Sequence, residues 1–435
     1  MSLKNLLEKV KSQDFTICVL GLGRVGLPLA TVFANSGIKV LGVDINPERL
    51  DSIKNSKCPF YDPELQSNLE QALSSKNLVL SSSLDSISNT TSVIFVTVGT
   101  PTIENNIDYS QVYSALNKIA LLNLKEKMLI FRSTLPPETT TDIIIPFLEN
   151  KSSLTAGIDF GVAMCPERIL EGKAIQELYQ LPEIIGGINS ISNDIATNTF
   201  LILNKNKEFL YTTPTGAELS KLFANIYRYT SFALSNEFAI WAEKFGLNAR
   251  DLIQKVNHDY SRSNIPVPGF AGGPCLSKDG LFLDSNSVFS SIISSVWKLN
   301  ESIPQYIVNS IKNIAGNLFN KKIAVLGISF KSGSDDTRNS PSLKLVDILK
   351  SIGSEVKTHD PYVAGTLSLK EALQNSEIII IATNHKEFDD IASDINSSNC
   401  DIIYDVWGIF NDKLFPNKKY YAFGSGHSTS NNKLS

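Results

Sequence analysis

One short stretch of the 435-residue chain puts a thiol beside a lysine, a carboxylate and an unusually permissive backbone: PGFAGGPCLSKD, residues 268–279. Gly269, Gly272 and Gly273 let the main chain come close to another group, and Cys275 follows directly. Lys278 and Asp279 stand three and four residues on, which on a starting helix puts them on the cysteine's face. A thiol near a helix start and a lysine has its thiolate favoured, the condition for nucleophilic attack. The bland reading of such a cysteine is a small buried hydrophobe. A second constellation is Lys221, Asn225 and Arg228, a polar stripe at spacings of four and three on an otherwise apolar element, which a solvated face would also explain. Arg132-Ser133-Thr134 and Cys165-Pro166-Glu167-Arg168 each close an apolar strand, where open α/β sheets place their ligands. A strand-end carboxylate such as Glu167 can equally just meet water.

A third set points to a dinucleotide. Gly21, Gly23 and Gly26 satisfy G-x-G-x-x-G, following a strand and opening a helix, and Asp44 ends the next strand. The first glycine permits a tight turn, the second lets a pyrophosphate approach the backbone, and the third allows close helix–strand packing. The helix start offers amide donors and a positive dipole end. A carboxylate at position 44 would accept bonds from ribose hydroxyls and repel a 2′-phosphate. Ile45 and Asn46 beside it carry no positive charge, so NAD is expected over NADP. The competing explanation is a purely structural turn.

The elements needed to hold these groups can be read from periodicity. FTICVL (15–20), KVLGVD (39–44), SVIFVTVG (92–99), MLIFRST (128–134) and FGVAMC (160–165) are short apolar runs of the kind that form strands buried on both faces. Helical stretches separate some of them, which predicts a parallel doubly wound sheet over residues 1–205. Residues 215–245 then keep apolar residues at helical spacing, and more helical pattern follows at 249–257 and from about 285 to 318. A mostly helical central domain, 206–318, is therefore expected, and its long apolar-faced helices are candidates for a dimer interface. KKIAVLGI (321–328), EVKTHD, EIIIIAT and DIIYDV restart the alternation and predict a smaller α/β domain over 319–423. The expected fold class is thus α/β, two Rossmann-like doubly wound domains joined by a mostly helical one. VLGVDINP and VKTHDP each end a strand on Asp with Pro soon after, a weak sign of internal duplication. The polar stretch 424–435 is expected to be disordered.

Composition narrows the class of partner. Forty basic residues against 44 acidic give a net charge of −4, too balanced for a nucleic-acid binder or a polybasic membrane module. No apolar run approaches the roughly 20 residues of a membrane helix. The start, MSLKNLLEKVKSQD, carries charges where a secretory signal needs an apolar core, so a cytoplasmic location is expected. Five widely spaced cysteines without a C-x-x-C pair argue against disulfides and structural zinc, and four scattered histidines give a metal site little to build on.

Together these pieces resemble the UDP-glucose/GDP-mannose dehydrogenase family of nucleotide-sugar 6-dehydrogenases. GLGRVGLPLA, VGTP (98–101), RSTLPPETT (132–140), PERILEGKA (166–174), AELSKLFANIYR (217–228), GGPCLSKD (272–279) and LGISFKSGSDDTRNSPS (326–342) look like its landmarks, in order along nearly the whole chain. The resemblance implies a four-electron oxidation of a sugar C6 alcohol to a carboxylate, using two NAD+ and one water. Cys275 would be the nucleophile, Lys221 and Asn225 would stabilise oxyanions, Asp279 would assist a proton relay, and Thr134 and Glu167 would position and help activate water. Lys331 and Arg338 match positions that contact the UDP end, and Arg262 is pointed toward a neighbouring subunit's substrate. The remaining substrate candidates are Arg168, Arg228, Gly272 and Phe330. The remaining cofactor candidates are Arg24, Val25, Arg49, Thr100, Thr134 and Lys278. A homodimer or higher homo-oligomer is expected, without metal.

The chain departs from the family pattern at Pro274, at Glu138 where Gly is frequent, and in a charged leader before Phe15. PERILEGKAIQELYQLPEIIGG looks more like members acting on UDP-N-acetylhexosamines, UDP-N-acetylmannosamine above all, than like UDP-glucose enzymes, which more often carry Phe after the Pro-Glu pair. UDP-glucose remains the alternative substrate. A two-electron hydroxy-acid dehydrogenase and a catalytically dead NAD-binding scaffold are the competing functions. The first needs no Cys275, and the second would have lost part of the catalytic set.

Overall fold

In the computed structural model the described residues are 3–84, 91–103, 106–284 and 292–426. The chain divides into two units, residues 1–224 with 281–283, and residues 225–280 with 284–435. The division falls inside the 31-residue helix Pro214–Lys244.

Burial on both faces at the centre of the sheet turns the apolar runs of the first unit into strands. They are β1 (Thr16–Leu20), β2 (Lys39–Val43), β3 (Leu78–Ser81), β4 (Thr91–Val96), a small antiparallel pair β5 (Thr102–Ile103) and β6 (Asn106–Ile107), then β7 (Met128–Phe131), β8 (Gly161–Met164), β9 (Glu183–Gly187) and β10 (Phe209–Tyr211). The main sheet runs β10-β9-β8-β7-β4-β1-β2-β3. Read from β3, its first six strands are parallel and in the doubly wound dinucleotide-binding order, so the strand order, not the strand direction, reverses between β1 and β4. β9 departs from the all-parallel expectation by joining β8 antiparallel. Helices Gly26–Asn35 and Ser190–Leu201 cover one face, where Phe33, Phe95 and Phe200 pack with ring centroids 5.4–6.4 Å apart. Ser110–Ile119 and Ile145–Ser152 pack their apolar sides into a separate core with Cys18, Ile94 and Leu129. The charged leader is a helix, Leu3–Lys11, whose Leu3, Leu6, Leu7 and Val10 enter the first core while its lysines stay outside.

In the second unit β11 (Lys322–Leu326), β12 (Glu355–His359), β13 (Ile378–Ile381), β14 (Ile402–Asp405) and β15 (Lys419–Ala422) form an all-parallel sheet ordered β12-β11-β13-β14-β15. This is the other common doubly wound order. The helical segment packs directly on it. Ile303, Ile307 and Ile311 of helix Ile292–Ala315 share a core with Ile323, Val325 and Leu345. Arg250, on helix Ala249–Asn257, donates to the carbonyls of Trp407 (2.9 Å), Val406 (3.0 Å) and Phe423. The expected disorder of 424–435 fails at its start, because the Gly424 N–H donates to Glu243 at 2.6 Å. Residues 427–435, and 285–291 of the predicted second long helix, lie outside the described residues. No helix among the described residues is long and apolar enough to cross a membrane.

Candidate active site

The turn after β1 is dictated by sterics. Gly21 has φ +96°, and a Cβ there would sit 3.1 Å from Thr97 Oγ1, which itself donates to the Gly21 carbonyl at 2.7 Å. A Cβ on Gly26 would overlap the Gly21 carbonyl oxygen, so the helix can approach the strand only through glycine. At Gly23 an added Cβ meets nothing within 4 Å, which leaves open space beside the backbone. Val25 opens the helix and no side chain caps it, so the Gly26 amide meets no capping side chain. Asp44, nearly buried, accepts from the N–H of Leu22 (2.7 Å) and Asn46 (2.8 Å) and from Arg49 (2.8 Å). Arg49 thus balances the charge of the Asp44 carboxylate. Arg24 lies over the Phe60 ring at 4.9 Å with Glu171 3.7 Å away. The turn, the open space and the fixed acidic residue fit NAD.

At the carboxyl ends of β4 and β7, Thr100 Oγ1 donates to the Thr134 carbonyl (2.7 Å) and Ser133 Oγ to that of Val98 (2.6 Å). Behind them lies a buried ionic network that sequence reading missed. Arg132 binds Glu167 through Nε (2.9 Å) and Nη2, and Glu183 through Nη1 (2.9 Å). Glu167 also accepts from the N–H of Arg168 (2.7 Å) and Ile169 (2.9 Å). Burial works against the Glu167 charge, but Arg132, the Ile169 N–H and Lys221 outweigh it and hold its carboxyl below the usual range. Burial and the neighbouring Glu167 push Glu183 the other way, against Arg132. Glu167 is therefore not a strand-end carboxylate in water but an ionised group fixed in a low-dielectric wall. Arg168 turns its guanidinium to the Pro182 carbonyl. The partners are 35 and 51 residues apart in sequence, which no local spacing could reveal.

In the second unit the glycine-rich stretch is seated on the C-terminal α/β domain. A Cβ on Gly272 would lie 2.5 Å from Pro341, and one on Gly273, at φ +95°, would lie 2.6 Å from the Phe330 ring. The Gly273 N–H donates to the Asn339 carbonyl at 3.1 Å. Cys275 opens the short helix Leu276–Asp279 and is exposed. It alone of the five cysteines is: Cys18, Cys165 and Cys400 are buried and Cys58 is half-buried. Burial pushes the Cys18 thiol up to about 12 and Cys165 well above its ordinary value, which leaves both inert. Asp279 corrects the expectation from spacing. It does not share the cysteine's exposed face but is wholly buried, accepting from Asn225 Nδ2 at 2.6 Å, with Lys278 Nζ 3.5 Å from its other oxygen. That other oxygen, Oδ1, has no hydrogen-bond partner.

The polar stripe on the long helix resolves into three environments, with Asn225 buried, Lys221 half-buried and Arg228 exposed. Lys331 is half-buried, and its carbonyl accepts from Ser329 Oγ at 3.0 Å. Arg338 extends into solvent, held by Asp336 through Nε at 2.9 Å. Arg262 is folded over Tyr260 at 4.7 Å. The structure brings Asn225, Lys278, Asp279 and the Cys275 turn together in one unit. Thr134, Glu167, Lys221 and the glycine turn belong to the other.

A doubly wound domain with this turn, and a cysteine loop seated on a second α/β domain, define a nucleotide-linked dehydrogenase. Three models of one family cover the chain: the NAD-binding domain of the UDP-glucose/GDP-mannose dehydrogenase family at residues 15–203, its central domain at 215–302 and its UDP-binding domain at 324–412. The chain belongs to the UDP-glucose/GDP-mannose dehydrogenase family, and its cofactor is NAD. The UDP-N-acetyl-D-mannosamine dehydrogenase of Pyrococcus horikoshii is 36% identical over 86% of this chain and 90% of its own length. The enzyme of that name from Methanococcus vannielii is 34% identical over 94% of this chain and 95% of its own length. The solved structure of the P. horikoshii protein superposes with a TM-score of 0.88, at 33% identity, covering 95% of this chain and all of that one.

Proposed function

We propose that the chain oxidises the C6 alcohol of UDP-N-acetyl-D-mannosamine to the carboxylate through a covalent adduct on Cys275. The observation that carries this is the single exposed thiol on a turn seated against Phe330 and Asn339 of the UDP-binding domain. Loss of a proton and a hydride from the C6 alcohol gives the aldehyde. Addition of the Cys275 thiol forms a C–S bond and restores a tetrahedral carbon bearing hydrogen, so a second hydride and a proton can leave. The resulting thioester reacts with water, which breaks the C–S bond and returns the thiol and the carboxylic acid. NAD+ accepts the hydride in each oxidation.

The chain's own groups have defined parts in this sequence. Asn225, oriented by Asp279, donates to the developing oxyanion, and the Lys221 ammonium stabilises the same charge. Glu167, held ionised, and Thr134 orient the water that attacks the thioester. Cys275 reacts as the thiolate. The substrate assignment rests on the activity for which the two relatives are named. Product analysis with UDP-N-acetylmannosamine, UDP-N-acetylglucosamine and UDP-glucose in parallel tests it. The first should be carboxylated fastest, and turnover of UDP-glucose alone would overturn the assignment.

The working form is a homodimer. Tyr227, Leu234, Phe238, Trp241 (61% exposed) and Phe245 (70% exposed) form one apolar stripe on the long helix, while Ala239 and Ala242 on its other side enter the core. A second copy of the same stripe is the complementary surface a two-fold contact requires. Trp241→Glu should halve the mass seen by sedimentation, and an unchanged mass would refute the contact.

A further inference from the structure

The first turns of helix Pro214–Lys244 carry a carboxylate that the chemistry above does not use. Glu218 is wholly buried, one turn before Lys221. Its Oε1 accepts from both the N–H (2.8 Å) and the Oγ1–H (2.6 Å) of Thr140, and the Glu138 N–H also bonds to the carboxyl. Its Oε2 is buried with no hydrogen-bond partner. The donors come from the segment that follows Thr134 directly. Leu135 is buried, Glu138 is held at φ +69°, and Thr139–Ile144 is a π-helical turn, a form that recurs at functional sites. The other titratable groups facing the carboxyl are Asp142 on that turn and Tyr109, at the start of helix Ser110–Ile119. On its own helix the nearest cation is Lys221, three residues on.

We propose that Glu218 is a positioning residue, which in its neutral form latches the start of the Lys221 helix to the loop running from Thr134 to Thr140. The inference rests on the catalytic reading of Lys221 and Thr134. Three donors converge on one carboxyl, and a proton on Oε2 replaces an unpartnered buried charge by an unpartnered neutral hydroxyl, which costs less. Burial, with Asp142 adding to it, raises the carboxyl to about 7 against the donors of Thr140 and Glu138. An acid whose folded value is raised favours the folded, latched form most below its ordinary value. That preference declines as pH rises toward the raised value and is fully lost above it. The latch is therefore tight in mild acid and loosens through neutrality, and with it the placement of Lys221 against the loop.

Steady-state kinetics with UDP-N-acetylmannosamine and NAD+ from pH 5.5 to 9 tests this on the intact chain. E218A should lower kcat by about tenfold or more while changing KM for either substrate by less than about threefold, as lost positioning does. E218Q keeps the acceptor and is permanently neutral, so it should retain kcat at pH 6 and lack the wild-type decline near pH 7. T140V, which removes one donor, should fall between wild type and E218A. A pH profile of E218Q that superimposes on the wild type, or an E218A with wild-type kcat, overturns the latch. If E218A fails to fold, the E218Q profile decides alone. K221M in the same series separates the two readings: with K221M fully active the role of Lys221 has failed, whereas K221M inactive and E218Q indistinguishable from wild type removes only Glu218.

Discussion

Two turns of this molecule are built alike and end differently. After β1, Gly21 at φ +96° packs on Thr97, and Asp44 at the end of β2 accepts a turn N–H, that of Leu22. After β11, Gly327 at φ +85° packs on Thr383, and Asp360 at the end of β12 accepts the N–H groups of Ile328 (2.7 Å) and Ser329 (3.0 Å). The faint duplication between VLGVDINP and VKTHDP is therefore a shared way of closing a strand-to-loop turn. The two chain segments leaving these turns diverge. Gly26 starts a helix at once and Gly23 leaves space beside it, room for a pyrophosphate. Beyond Gly327 the chain instead makes a long loop before helix Pro341–Ser351, carrying Lys331 and Arg338. The acidic partner differs too. Asp44 meets Arg49 at a partly exposed edge, while Asp360 meets a fully buried His385 at 3.1 Å. The ring accepts the Gly333 N–H at Nδ1 (3.2 Å), which leaves its Nε2 to face Asp360 and Ser329. The same turn thus leads straight into a helix in the first unit and into a long loop in the second.

The largest effects expected come from filling the two turns. Gly26→Ala should abolish NADH binding, by about 100-fold or more in affinity, because its methyl overlaps backbone that cannot move. Gly327→Ala, 2.5 Å from Thr383 Cβ, should do the same to UDP. Fluorescence titration of both ligands on both variants checks this. If either substitution abolishes both, the turns are not separate sites. Gly23→Ala sharpens the point, since it should leave thermal stability unchanged and weaken NADH alone. A smaller effect is expected at the buried acid. Burial opposes the Asp360 charge, but His385 and the turn N–H groups hold its carboxyl down at about 2. A depressed acid stabilises the fold above its ordinary value of about 4, and this is lost as pH falls toward 2. Unfolding free energies from urea titrations should therefore fall more between pH 4 and 2.5 in wild type than in Asp360→Asn, by about 1 kcal/mol. Equal slopes would refute the pairing. The smallest effect is Glu138→Gly, which should raise stability by about 1 kcal/mol because φ +69° costs a residue with a Cβ.

That last residue shows what the sequence could and could not tell. Glu138 stood out as a departure from a frequent Gly, and the left-handed backbone gives the reason. The dinucleotide turn was legible because steric demands at Gly21 and Gly26 leave one residue type, and the long helix because its pattern runs for some thirty positions. The leader helix escaped because nine residues with three lysines look solvated unless its leucines are known to meet a core. β9 escaped as antiparallel because a five-residue strand carries no mark of direction. The Arg132 network and the Glu218 latch were invisible for one reason: their partners are separated by 35 to 78 residues, and only the fold joins them. Helical spacing puts Asp279 on the cysteine's side, but one turn of helix is too short to decide which way it faces.

The central claim is that Cys275 makes a second oxidation possible on the same sugar. NADH counted per UDP-N-acetylmannosamine consumed, in wild type and Cys275→Ser, tests it most directly. Wild type should yield two NADH and the uronate, while the variant should lose carboxylate production by about 1000-fold or more. One NADH per sugar in wild type, or carboxylate from Cys275→Ser at the wild-type rate, would contradict it.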